Sequence, residues 1–280
     1  MTMPRALVLL MLLTAGLLAP APPASAALPG VELVWSPIVA PGSETTRSAV
    51  ATCPAGKYVV GAFAFTSSAP HDVVITALVP TASSVYAFAR EDQDGYAGDW
   101  LLTAQAYCAD PPPGLTSVSA YSVINSMNKQ VSVTCPTGTR LLTAGWDVGS
   151  GAGQVYVNQL APSITGVSAT GMEDQDGQAG NWRVNVHAVC ADPLPGHVVQ
   201  SATATASSAD KTVLVDCGPG TRRLALGWTL YGVGGGTPAG QVHAQTGSAG
   251  TGWMTLAANE DDDGYAGNWS AIARVVCLTA

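Results

Sequence analysis

Glu91–Trp100 reads EDQDGYAGDW, Glu173–Trp182 reads EDQDGQAGNW and Glu260–Trp269 reads EDDDGYAGNW. In each copy the Trp stands eight residues before a cysteine: Cys108, Cys190 or Cys277. Three near-identical decapeptides on one frame mark an internal repeat. Extending the frame towards the N-terminus recovers a second cysteine per copy, each opening a turn: Cys53-Pro54-Ala55-Gly56, Cys135-Pro136-Thr137-Gly138 and Cys217-Gly218-Pro219-Gly220. Pro fixes φ in such turns and Gly takes a positive φ. The cysteine spacings are 55, 27, 55, 27 and 60 residues, so three like units follow one another, the last with five extra residues. Of the pairings six cysteines allow, the repeat selects Cys53–Cys108, Cys135–Cys190 and Cys217–Cys277. Loop closure of this size is worth roughly 4 kcal/mol per bridge. No C-x-x-C pair or neighbouring His offers these cysteines a metal instead.

The ends of the chain fit an exported protein. Arg5 precedes the apolar stretch Ala6–Leu18, and Ala24-Ser25-Ala26 has the form of a cleavage site, so residues 1–26 read as a signal peptide. The repeat then divides the rest into units at 27–112, 113–194 and 195–280, joined through Pro111-Pro112-Pro113-Gly114 and Pro193-Leu194-Pro195-Gly196. Such connectors are short and stiff. The extra residues of the third unit fall in or just after Gly232–Gly240. The chain carries a net charge of −8, which becomes about −9 without Arg5, and it has no basic stripe, so nucleic acid and anionic membranes are poor partners. Apolar residues make up 47% of it, too many for disorder.

Each unit reads as about six short strands between turns, an all-β antiparallel sandwich or prism with one disulfide. In the second unit the strands are expected near Val118–Val123, Gln130–Thr134, Arg140–Asp147, Gln154–Leu160, Gly166–Met172 and Trp182–Cys190. Alternation in the last puts Trp182, Val184, Val186 and Ala188 inside and Arg183, Asn185 and His187 outside. Trp146 and Trp228 share one frame position and read as core aromatics. The three units, each marginal alone, are expected to pack around a pseudo-threefold axis, with a linear string as the alternative. Leu28–Pro41 is either the first strand of unit one or an extended arm able to add to a partner.

The acidic loops hold 11 of the 19 acidic residues, a crowding that needs compensation. One reading is calcium, with Glu91, Asp92, Asp94, Glu173, Asp174, Asp176, Glu260, Asp261 and Asp263 as oxygen ligands. An EF-hand does not fit, because Asp94-Gly95 at its positions 5 and 6 would put Arg90 first and Leu101 last. The other reading is a solvated Asp-Gly turn whose carboxylates accept from nearby amides. Tyr96, Trp100, Trp182, Tyr265 and Trp269 are the candidate ligand contacts, with Gln178 replacing Tyr in the middle unit. Catalysis has little to stand on. No G-x-S-x-G elbow or H-E-x-x-H occurs, the cysteines are used in bridges, and His187 is a strand-face residue not repeated between units. Carboxylate pairs for glycoside hydrolysis would sit on exposed turns repeated three times.

The C-P-x-G turn and D-G-x-x-G-N-W followed by cysteine, carried here by Cys53–Gly56, Cys135–Gly138 and Gly267-Asn268-Trp269 with their equivalents, resemble a loose group of secreted actinobacterial repeat proteins. Asp99 and Cys217-Gly218 depart from that pattern. The resemblance implies export and β structure, and no activity. A further association, carried by no motif, is with the adaptor subunits of streptomycete umbrella toxin particles, which link lectin subunits to a large toxin. The expected function is therefore a secreted, non-catalytic, multivalent binding module for cell-surface or cell-wall glycan. The alternatives are an adaptor in a secreted protein assembly such as an antibacterial toxin particle and, third, a hydrolase with a site between units.

Overall fold

The computed structural model describes residues 28–67, 72–151, 153–233, 241–249, 253–261 and 264–279. The expected signal peptide, Asp263 and most of the Gly232–Gly240 stretch lie outside them. The described residues form eighteen strands and no helix. The first six are β1 (Glu32–Trp35), β2 (Thr46–Thr52), β3 (Tyr58–Ser67), β4 (Val73–Pro80), β5 (Ser84–Glu91) and β6 (Leu101–Ala109). The next six are β7 (Thr116–Tyr121), β8 (Lys129–Thr134), β9 (Arg140–Gly149), β10 (Val155–Ser163), β11 (Gly166–Glu173) and β12 (Arg183–Ala191). The last six are β13 (Val198–Thr203), β14 (Lys211–Asp216), β15 (Thr221–Gly232), β16 (Val242–Ala249), β17 (Trp253–Glu260) and β18 (Trp269–Thr279). The inward and outward faces expected for β12 are observed, with Trp182, Val184, Val186 and Ala188 buried. Leu28–Pro41 supplies β1, which pairs antiparallel with β6.

The strand order repeats. In every six the first, sixth and third strands are neighbours, and so are the second, fifth and fourth. The expectation of three self-contained sandwiches or prisms is corrected, because sheets run across the joins. β4 pairs with β9 through Ala77–Asp147 and Leu78–Trp146, and β10 pairs with β15 through Gln159–Thr229 and Leu160–Trp228. Four sheets result: β1-β6-β3, β2-β5-β4-β9-β12-β7, β8-β11-β10-β15-β18-β13 and β14-β17-β16. They follow one another in a propeller-like ring, in which the last sheet returns to the first through β16 against β3.

Single residues decide where sheets join. Gly145 and Gly227 stand ten residues after the first cysteine of their units. A Cβ on Gly145 would overlap the Leu78 carbonyl oxygen and Pro80, and one on Gly227 the Leu160 carbonyl oxygen and Pro162. Glycine alone lets the strands approach. Unit one carries Phe63 at this position, and β16 (VHAQTGSA) lacks the Leu-x-Pro of β4 (VVITALVP) and β10 (VYVNQLAP). The β3–β16 edges are accordingly unpaired as strands, and the Thr66 hydroxyl bonds the Gln245 side-chain oxygen at 3.1 Å across them.

The centre is equally regular. Each of β3, β9 and β15 carries a bulge seven residues after its cysteine, at Val60, Leu142 and Leu224, and all three side chains are fully buried. These strands touch one another pairwise. Between them the buried Thr143 hydroxyl accepts from the Ala62 amide at 3.1 Å and donates to the Leu224 carbonyl at 2.9 Å, tying all three units together. Trp146 and Trp228 meet edge to face at 4.7 Å, as core aromatics. The three expected disulfides form, with Cα separations of 5.6, 5.8 and 5.6 Å. No described helix is long and apolar enough to cross a membrane.

Candidate functional site

The repeated loops are built the same way in every unit. The first carboxylate caps the tryptophan, with the indole N–H donating to Glu91 at 3.1 Å in Trp100, to Glu173 at 2.6 Å in Trp182 and to Glu260 at 2.6 Å in Trp269. The next residue closes the turn. One oxygen of Asp92 accepts from the Gly95 amide at 3.3 Å, one of Asp174 from Gly177 at 2.8 Å and one of Asp261 from Gly264 at 3.0 Å. Those glycines take φ of 71°, 75° and 68°, where an L side chain would be strained. An Asp-Gly turn whose carboxylate accepts from a nearby amide is thus the geometry these residues adopt.

The compensation for the crowded carboxylates includes a basic residue six before each first cysteine. The Lys129 ammonium lies 3.4 Å from the centroid of the Trp182 ring and that of Lys211 3.9 Å from Trp269, while the Arg47 guanidinium lies 5.4 Å from Trp100. Burial lowers both lysine pKa values, and Glu173 and Glu260 pull them back up. Cation, indole and carboxylate form one layered unit per repeat.

Trp100, Trp182 and Trp269 have no exposed surface and hold the loops from inside. Tyr96 and Tyr265 are half-buried, their rings folded over Gly98 and Gly267 of their own loops. The buried tryptophans therefore present no stacking platform. The loops do not stand apart as three surfaces, because Asp92, Asp94, Asp174, Asp176 and Asp261 line one cleft at one end of the ring, beside His243. Gln93 bonds Asp176 across it, and Gln154 bonds Gln93. Desolvation raises Asp92 and Asp174 to a pKa of about 6, with Asp72 and Asp94 adding to the rise at Asp92, and Asp176 and Asp261 at Asp174. The cleft holds about 10 Å³, room for one water-sized occupant. Among the described residues no group of three or more His, Cys, Asp or Glu has metal-holding geometry.

A larger feature lies elsewhere. Where β4 meets β9, the outer face of the shared sheet carries a groove of about 310 Å³ lined by Thr76, Val79, Tyr86, Phe88, Arg90, Asp147 and Ser150. Tyr86, Phe88 and Arg90 alternate along β5 and all point outward. Asp147 faces them from β9, one oxygen accepting from the Asn185 amide at 2.7 Å and the other paired with His187 Nε2 at 2.8 Å. His187 is thus a strand-face residue of β12 with Asp147 as its partner. The pair has acid–base chemistry, but no hydroxyl among the described residues bonds to His187. Ser150, in the turn after β9, has φ of 67°, the one left-handed non-glycine residue among those described. Its carbonyl accepts from Gln178 at 3.2 Å, so the residue that replaces tyrosine in the middle loop holds the groove's wall.

Sequence reasoning did not single out these groove residues, because they are not repeated. At the β10–β15 join the register places Ser168, Thr170, Met172 and Thr229 where this join has Tyr86, Phe88, Arg90 and Asp147. The detectable signal was departure from the repeat. No protein-family model matches the chain, and comparison with curated proteins finds no match.

Proposed function

We propose that this protein is a secreted, non-catalytic binding module for an extracellular glycan, with its principal site in the β4–β9 groove. The observation that carries this reading is the groove's make-up. Two outward aromatics lie beside a guanidinium, a carboxylate and a strained serine, in a concavity at the lower end of small-ligand sites. Aromatic faces take the apolar face of a sugar ring, and the polar groups fix its hydroxyls. The disulfides suit an extracellular setting. We read the ring as one body with a pseudo-threefold axis, prism-like in its repeat, because β3, β9 and β15 meet at its centre and the three acidic loops share one end. This reading rests on the groove and not on calcium at the acidic loops. Retention on insoluble cell-wall polysaccharide, with and without calcium, tests it. Tyr86→Ala should abolish retention with the melting temperature unchanged, whereas full retention in that variant refutes the groove as the site.

One observation favours the adaptor reading as second. Tyr121, Val123, Ile124 and Met127 are 61–74% exposed on and after β7, where the third unit has Thr203, Thr205, Ala206 and Ala209. Unit one also exposes Trp35, Ile38 and Val39, so the apolar rim spans two of the three units and suits a protein partner. Val123→Ser with Ile124→Ser should then release a captured partner and leave polysaccharide retention intact.

A further inference from the structure

Resting on the glycan reading, the groove's uncommitted guanidinium points to the class of sugar. We infer that the β4–β9 groove selects saccharides bearing a carboxylate, with Arg90 as the anion-binding residue.

Arg90 lines the groove half-buried, and its Nε has no exposed surface and no hydrogen-bond partner. Among the described residues its guanidinium makes no hydrogen bond and no ion pair. Other arginines have a partner for the guanidinium, and Arg223, whose Nε also lacks a hydrogen bond, lies over Phe63 and Tyr107. Arg47 pairs with Glu44, Arg183 stacks on Tyr121 and Arg274 donates to Thr229 at 2.7 Å. A buried donor without a partner is costly, and such groups in native proteins call for an explanation. A ligand carboxylate supplies one, since the planar guanidinium takes two parallel N–H···O bonds to it.

The obvious ligand within the protein does not serve. Asp147 lines the same groove, but its two oxygens are bonded to Asn185 and His187 of β12, on the far side of β9 from Arg90. That arrangement keeps an anion beside the groove without neutralising Arg90, and it leaves Asp147 lone pairs able to accept sugar hydroxyls. Ser150 adds an independent sign, because left-handed strain in a non-glycine residue collects at binding sites. Gln178 is here a positioning residue, holding the Ser150 carbonyl and so the wall opposite β5. Tyr86 and Phe88, two residues apart on β5, flank the Arg90 end of the groove and offer ring faces to a pyranose. The whole protein is negative, so long polyanions are repelled and the site suits a single carboxylate brought in on an otherwise neutral sugar.

The test uses the disulfide-bonded protein and matched pairs of probes: glucuronic, galacturonic, N-acetylmuramic and N-acetylneuraminic acids, each against its own amide. Binding is read by saturation-transfer NMR and competition. The expected result is that at least one acid binds roughly tenfold or more tighter than its amide, the usual gain of a charge-assisted pair. Arg90→Gln should erase that difference while leaving amide binding, and Gln178→Ala should weaken acid and amide alike. If acids and amides bind equally and binding still depends on Tyr86, the carboxylate selectivity is wrong and the glycan site stands. If Tyr86→Ala leaves sugar binding unchanged, or no sugar of the set binds, the groove reading and this inference both fall.

Discussion

Replacing Gly145 by alanine puts a methyl group in place of a hydrogen at the closest approach of the β4–β9 join. The new Cβ would lie closer than 3.0 Å to the Leu78 carbonyl oxygen and to Pro80 Cδ, both fixed in β4. Neither neighbour is the free end of a flexible side chain, so the strands must part. Overpacking of this kind costs about 1–3 kcal/mol, and with strand backbone on both sides we expect the upper end. For a chain of this size each kcal/mol moves the melting temperature by roughly 2–4 °C, which gives a fall of about 6–12 °C. The join also forms the groove, since Ala77 and Asp147 are partners across it. Sugar binding should therefore fall together with stability. Gly180→Ala is the control, because its Cβ would meet only the movable Gln178 side-chain nitrogen at 3.3 Å. Differential scanning calorimetry on wild type and both variants, disulfides intact, is the assay. A Gly145→Ala protein that melts with the wild type would refute the close approach and with it the shared sheet.

Other consequences follow from the buried charges. Arg223 is only 1% exposed, its Nε and Nη1 have no hydrogen-bond partner, and its guanidinium lies 5.7 Å from the ring centroids of both Phe63 and Tyr107. Since Leu141 takes its place in unit two, Arg223→Leu should be neutral or stabilising by about 1–2 kcal/mol, and a clear drop in melting temperature would contradict this. Trp269→Phe removes the indole donor to Glu260 and should cost about 1.5–3 kcal/mol in urea titration. Asp92 and Asp174 have folded pKa values of about 6, above the usual 3.8, so the folded state is penalised at pH 7 and relieved as pH falls through 6 towards 4. Half-exposure and screening leave on the order of 1 kcal/mol each. Stability should thus rise from pH 7.5 to pH 5, and Asp92→Asn with Asp174→Asn should flatten that slope.

The decapeptide frame made much of this legible. It paired the cysteines, placed six strands per unit and put Trp182, Val184 and Val186 on the inside of one of them, because period-two burial is written into each strand. What it hid were features carried by single departures from the repeat. Phe63 against Gly145 and Gly227 decides which edges join, a contrast between units that similarity alone cannot flag. Tyr86, Phe88, Arg90 and Asp147 come from strands of two units brought together by that join. The compensating cations Arg47, Lys129 and Lys211 were visible in the frame, six residues before each first cysteine, but their meaning lies in the ring faces they cover. The acidic loops drew attention by their composition, yet in each the Glu serves its own tryptophan and the next Asp its own turn.

Hydrogen–deuterium exchange with and without cell-wall saccharide fragments distinguishes the β4–β9 groove, the acidic loops and the apolar rim in one experiment. Saccharide binding in the groove should slow exchange in Ser84–Arg90 and in the turn from Asp147 to Gly151, with the acidic loops and the Tyr121–Met127 rim unchanged. Protection confined to the acidic loops or the rim, or no protection anywhere, would contradict it.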